Sequence, residues 1–116
     1  VSDFKVKNRK DLKIKKQDGI HSLELEENPD ILKSLNKKAN QIFIGFAAET
    51  NNLIKNAEKK LNEKNLDYIV LNDVSKKDIG FNSEYNKVSI ISKNQILELD
   101  KDTKLNIADK ILDLIK

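Results

Sequence analysis

The stretch Ile44-Gly45-Phe46-Ala47-Ala48-Glu49-Thr50 constrains the fold most, because an apolar run narrowing to small residues before a polar helical pattern reads as a buried strand turning into a helix. Gly45, Ala47 and Ala48 carry little or no side chain, so a ligand could reach main-chain groups and the positive end of the following helix. Phe46 would add a ring face. Tight packing of a helix on a sheet explains the same small residues without a ligand, and for an isolated Gly-Phe-Ala-Ala it is the better account. The rest of the chain has to decide.

Around this junction the order is helix, strand, helix, strand, hairpin, helix. Asp18-Gly19 reads as a turn before a short strand containing Ile20, Leu23 and Leu25. Asn28-Pro29-Asp30 starts a helix, with Asn28 as cap, Pro29 in the first position and Asp30 at the positive end; Ile31, Leu32, Leu35 and Ala39 form its inward stripe. A strand is expected from Gln41 to Phe46, a helix from about Thr50 to Lys64 burying Leu53, Ile54, Ala57 and Leu61, and a second core strand from Leu66 to Leu71. A loop holding Gly80 and Asn82 leads to a hairpin of Lys87–Ile91 with Gln95–Leu99. Thr103 caps a last helix whose inward face is expected to be Leu105, Ala108, Ile111, Leu112 and Ile115. This order predicts an α/β fold with a parallel sheet and right-handed crossovers, whose ligands bind beyond the carboxyl ends of the strands. Phe46 to Thr50 and Asn72-Asp73 fall at those ends.

With 116 residues the chain supports one modest core, and 35% charged against 38% hydrophobic residues suits a small α/β unit with polar helix faces. It has no cysteine and one histidine, which leaves no thiol nucleophile, disulfide framework or multi-His metal site. Neither a membrane-length apolar run nor a signal-peptide pattern is present, so a cytoplasmic location is expected. There is no methionine and the chain opens on Val1, which reads as a fragment. The organisation expected is a basic flap or arm over residues 1–19 and an α/β core over 20–116.

The net charge of +3 is uneven: residues 1 to 16 hold seven Lys or Arg against Asp3 and Asp11. Like charges this close repel unless something negative sits among them, so the arm suits a polyanion, either a nucleotide triphosphate or nucleic acid. A single aromatic in the arm, Phe4, argues against extended nucleic-acid binding. In Lys13-Ile14-Lys15-Lys16 an extended backbone points Lys13 and Lys15 to one side and Lys16 to the other, a geometry able to clamp phosphates, although a lysine run alone is more simply a solvated arm. Lys60 and Lys64, four apart on one helix face, could meet one anion or simply confer solubility. Asp3 could take a ribose hydroxyl or a magnesium-bound phosphate; a lone carboxylate is no metal site, and none is assigned. His21 is given a structural role; Glu49 could cap its own helix or hold a loop, with capping the default. Walker, dinucleotide and nucleophile-elbow motifs are absent.

The ordered series Ser2-Asp3-Phe4, Lys13-Ile14-Lys15-Lys16, Asn28-Pro29-Asp30-Ile31, Gly45-Phe46-Ala47-Ala48-Glu49-Thr50, Asn72-Asp73-Val74 and Gly80-Phe81-Asn82-Ser83 resembles the phosphopantothenoylcysteine synthetase family, in particular the carboxyl-terminal part of bacterial bifunctional proteins in which the synthetase follows a flavin-dependent decarboxylase. The resemblance covers nearly the whole chain. It implies a Rossmann-like, dimeric fold, here a partial domain with helices on both faces of the sheet and a carboxyl-terminal β-hairpin. The implied chemistry is CTP- and Mg2+-dependent ligation of 4'-phosphopantothenate with cysteine through an acyl-cytidylate, with FMN only in a fused decarboxylase domain absent from this chain. By the same likeness Lys13 is the essential phosphate-contacting lysine and the catalytic assignment; Asp3, Pro29, Asp30, Ile31, Leu32, Phe46, Lys60 and Lys64 join it in the nucleotide site. The family's amino-terminal half, with its Gly-rich strand and acyl-cytidylate-handling Asn, is missing, so the isolated chain is expected to be inactive in ligation. Two other classes stay open: a basic module for RNA or an acidic partner, and a dimerisation or scaffold part of a larger enzyme. Membrane and nucleic-acid partners are not expected.

Overall fold

Leu53, Ile54, Ala57 and Leu61 recur at helical spacing between two runs rich in strand-forming residues, and the structure builds from them a strand–helix–strand unit. The structure, a computed structural model, describes residues 2–19, 22–74 and 82–116. It separates the chain into two units, Val1–Leu35 and Asn36–Lys116. Ile20, His21, Gly80 and Phe81, which carried expectations above, lie outside the described residues.

In the first unit, strand β1 (Phe4–Val6) pairs antiparallel with β2 (Leu25–Glu27), with Lys5 opposite Glu26. Between them lie a 3-10 turn, Lys16–Asp18, and Gly19, whose φ of 63° is the left-handed conformation expected of the Asp18-Gly19 turn. The acidic β2 supplies some of the negative charge that the basic arm demands, since Lys5 Nζ lies 3.3 Å from Glu26 Oε1, and a backbone bond from the Lys7 amide to the Glu24 carbonyl extends the ladder. Helix α1 (Ile31–Ser34) is one turn long, and this corrects the expectation of a helix reaching Ala39. Asp30, not Asn28, is its cap, accepting from the Lys33 amide at 3.1 Å. Ile31 and Leu35 stay more than half exposed and no residue of α1 is buried. Without a surface to bury its stripe, so short a helix gains nothing from extension. Leu35 is extended, and a turn from Lys38 to Gln41 then occupies the residues expected to be helical.

The second unit holds a four-stranded sheet in the order β3 (Ile44–Glu49), β4 (Tyr68–Asp73), β6 (Val88–Ile91), β7 (Ile96–Glu98). Only β3 and β4 run parallel, joined by helix α2 (Leu53–Glu63); β4, β6 and β7 pair antiparallel, so the sheet is mixed. The Val88–Ile91 and Ile96–Glu98 hairpin agrees with expectation. A small ladder, β5 (Tyr85–Asn86) with β8 (Asp102–Thr103), leads into helix α3 (Lys104–Asp113).

Both parallel strands begin later than the sequence suggests. The Phe43 amide is taken by the Asp67 side chain, whose Oδ2 accepts from it at 2.7 Å and from Lys37 Nζ at 2.6 Å, while the Phe43 carbonyl still accepts from the Asp67 and Tyr68 amides. Lys37 also sits 5.6 Å from the Phe43 ring centroid. Burial lifts the Asp67 carboxyl, but the bonds from Lys37 and the Phe43 amide, with the charges of Lys37 and Lys93, outweigh it and hold the group below the usual range. The first β3 residue is Ile44, and the strand runs on through Glu49, opposite Asp73.

Helix α2 ends in a Schellman motif: the Leu66 amide reaches the Leu61 carbonyl at 2.9 Å and the Asn65 amide reaches Asn62, with Asn65 at φ 49°. This turn delivers Leu66, 2% exposed, beneath the sheet beside Leu61. One face of β4 thus carries Ile69 and Leu71 on the side of Ala57, Leu61 and Leu66; the other carries Val70, which with Val88 and Ile90 packs on Ile107 and Ile111 of α3. Helices cover both faces, as expected, but of the inward face expected for α3 only Ile111 is buried, and Ile107 joins it. Ile107, Ile111 and Leu114 turn inward; Leu105 is 73% exposed and Leu112 54%, and Ala108 and Ile115 are also exposed. At about 100° per residue the apolar residues of α3 span roughly half its circumference, and the sheet takes only one edge of that arc. Thr103 caps α3 as expected, accepting from the Asn106 amide at 3.2 Å.

Candidate functional site

The carboxyl ends of β3 and β4 lie side by side, with Ala48 next to Asn72 and Glu49 next to Asp73, and the Val74 amide extends the pairing to the Glu49 carbonyl. In a parallel pair this end is where the connecting helix begins and where binding groups collect. Alternation sends Gly45, Ala47 and Glu49 toward α2 and Phe46 and Ala48 to the opposite face.

Gly45 corrects the idea that its missing side chain opens the backbone to a ligand. A Cβ placed there would lie 2.5 Å from Leu66 Cδ1, so the space is filled from within the core. Phe46 is 68% exposed and borders an open cleft of about 390 Å3 between the sheet and α3. Val70, Val88, Ile107 and Ile111 form the floor of this cleft and Ala108 and Leu112 its wall. At its polar end the Asn86 side-chain amide donates to Asn72 Oδ1 at 2.5 Å, tying the penultimate residue of β4 to β5.

On the α2 side, Glu49 does not cap the helix. The cap position is Asn52 in the left-handed conformation, φ 44°, without a side-chain bond to the first turn. Glu49 Oε1 instead accepts from Lys60 Nζ at 2.6 Å, and its Oε2 from Asn56 Nδ2 at 3.4 Å; Asn56 also reaches the Asn51 carbonyl. The Lys60 hydrogen bond and charge, with help from Asn56, hold the Glu49 carboxyl below its usual range against the opposing effect of burial. Lys64 follows one turn on as the helix C-cap. Phe46 and Lys60 therefore stand on opposite faces of the sheet.

In the first unit two motifs far apart in sequence come together. The Asn28 amide donates to the Asp3 carbonyl and Asn28 Nδ2 to the Ser2 carbonyl, both at 2.8 Å, so Asp3 stands beside Pro29 and Asp30. Ile31 and Leu32 continue from that corner in α1. Lys13 lies exposed on the segment between β1 and the 3-10 turn. Sequence reasoning did not find the Glu49–Lys60 and Asn72–Asn86 pairs. Each links residues of two different elements that only the fold brings together, so no local signal marked them.

The family model of the DNA/pantothenate metabolism flavoprotein C-terminal domain matches residues 1–116. The chain is 47% identical over 97% of its length to a coenzyme A biosynthesis bifunctional protein CoaBC from Bacillus subtilis (strain 168), covering 28% of that protein. It is 44% identical over 99% of its length to the CoaBC protein of Borreliella burgdorferi, covering 30%. A crystal structure of the C-terminal domain of a CoaBC protein superposes with a TM-score of 0.73 at 38% identity, over 99% of this chain and 48% of that one. The chain thus spans under a third of the curated relatives and about half of the solved domain. A Rossmann-like α/β sheet, the ordered motifs and a match along every residue agree: the chain belongs to the DNA/pantothenate metabolism flavoprotein C-terminal domain family.

Proposed function

We propose that this chain acts in coenzyme A biosynthesis as part of a phosphopantothenate–cysteine ligase that uses CTP. In this reading the carboxylate of 4'-phosphopantothenate attacks the α-phosphate of CTP, giving an acyl-cytidylate and pyrophosphate; the cysteine amine then attacks the acyl carbon and CMP departs. A free carboxylate is a poor acyl donor and CMP a good leaving group, which leaves the protein positioning and charge neutralisation. By the family likeness Lys13 is assigned to the phosphates, and Asp3, Pro29–Leu32, Phe46, Lys60 and Lys64 are each assigned to the nucleotide. Among the described residues no group of three or more His, Cys, Asp or Glu gathers to hold a metal. Magnesium fits this set as a passenger on the triphosphate, ligated mainly by phosphate oxygens and water. A homodimer accords with the family likeness, and FMN belongs to a fused decarboxylase.

The observation that carries the reading is the family match along the full chain, 47% identical to a CoaBC protein. The convergence of Asp3 with Asn28-Pro29-Asp30 adds support, because residues assigned to one nucleotide share one corner. Calorimetry with Mg-CTP and Mg-ATP, on the chain and on Lys13→Gln, tests it. The expected result is preference for CTP and a loss of about tenfold or more at Lys13→Gln, as for a lost charge-assisted phosphate contact. Equal affinity for both nucleotides, or binding of many polyanions that collapses with salt, would instead identify a basic binding module. Amide formation by the isolated chain, followed with labelled cysteine, would refute the expectation that it is inactive alone.

A further inference from the structure

We infer that Glu49 is a positioning residue, holding the Lys60 ammonium at the corner where β3 gives way to α2 so that it meets nucleotide phosphate already aimed. The inference rests on the reading of Lys60 as a nucleotide contact given above.

The pair is asymmetric in a way that suits this task. The Glu49 side chain is 14% exposed and that of Lys60 43%, so the acid is sunk in the corner and the amine remains reachable. Glu49 sits on the carboxyl end of a strand fixed on one side by β4, with its carbonyl tied to Val74 and its second carboxylate oxygen to Asn56. A lysine on an exposed helix face samples many rotamers and must surrender that freedom to grip an anion. Here the freedom is already surrendered when the chain folds, which favours binding through preorganisation. An ammonium has three N–H donors, and the bond to Glu49 engages one of them. Asn56 and Lys60 lie four residues apart on α2 and both face Glu49, so the carboxylate fixes the helix face as well as the amine. The Glu49 charge also repels a triphosphate, so the two effects have opposite signs and experiment separates them.

The test measures Mg-CTP affinity by calorimetry for the 116-residue chain, Glu49→Gln, Lys60→Gln and the double variant. Glutamine keeps the length of Glu49 and an acceptor for Asn56 while removing the charge. The expected result is that Glu49→Gln weakens binding about fivefold or more, yet changes it by less than about twofold once Lys60 is glutamine, as required if one residue acts through the other. Tighter binding by Glu49→Gln, or the same loss with and without Lys60, overturns the positioning role. A Lys60→Gln variant that binds as well as the unmodified chain overturns the nucleotide role of Lys60, and this inference with it. A loss at Lys60→Gln without a loss at Glu49→Gln overturns the positioning role alone. If Glu49→Gln does not fold, NMR on the unmodified chain decides: Mg-CTP should shift the Glu49 Cδ and Lys60 Cε resonances together, and movement of neither refutes the inference.

Discussion

Replacing Gly45 by alanine separates the two accounts of the small residues on β3. The added methyl carbon would lie 2.5 Å from Leu66 Cδ1, about an ångström inside a normal carbon–carbon contact. Leu66 is 2% exposed and packed under the sheet, so its methyl has little room to retreat. Overpacking of this kind costs about 1–3 kcal/mol. Against it, alanine loses less chain entropy than glycine on folding, a gain of about 0.5–1 kcal/mol. The net expectation is a loss between about 0 and 2.5 kcal/mol, read as a lower urea midpoint at unchanged slope. Leu66→Ala alone should cost about 2–5 kcal/mol by leaving a cavity. The double variant should then lose less than the sum of the single losses by about 1 kcal/mol, because the alanine methyl occupies part of that cavity. A Gly45→Ala chain clearly more stable than its parent, or a double variant with strictly additive losses, would refute the packing account and return Gly45 to the ligand.

The corrected orientation of α3 predicts that Ile107→Ala costs about 2–4 kcal/mol while Leu105→Ala, at an exposed position, changes stability by under about 0.5 kcal/mol in the same urea assay; similar losses at both positions would count against it. Asp67→Ala should cost about 2–3 kcal/mol, because it strips partners from the largely buried Lys37 amine and the Phe43 amide; Asp67→Asn, which still offers an acceptor to Phe43, should cost less. Acid should destabilise the fold. Asp102, held at about 2 chiefly by bonds from Lys110, Asn106 and the Thr103 amide, joins Glu49 and Asp67 in having a carboxyl depressed in the folded state. Their contribution is complete above the unfolded carboxylate pKa of about 4 and is lost as pH falls through the folded values. The urea midpoint should therefore be level near neutrality and fall between about pH 4 and 2, with a shallower fall in Asp102→Asn; a midpoint that rises on acidification would contradict this sign.

The basic arm shows why charge alone was an incomplete guide. Its opening lysines meet an acidic strand of the same unit, through Lys5 with Glu26, so part of the demand for an anion is met internally. Lys13, on the segment after β1, stands exposed.

Local sequence determined the element types wherever a short-range rule was enough: the α2 stripe, the Val88–Ile91 and Ile96–Glu98 hairpin, the Thr103 cap and the left-handed Gly19 each depend on neighbours within a few residues. The ordered motifs also determined the family, since they survive as a linear pattern. Tertiary structure alone decided which edge of the apolar arc of α3 faces inward, that the Phe43 amide bonds to the Asp67 side chain, that the vacancy at Gly45 belongs to Leu66, and that Glu49 pairs with Lys60 rather than capping α2. These outcomes depend on contacts between segments that the chain brings together only on folding. Periodicity limits each segment's choices, and the neighbour it packs against selects among them.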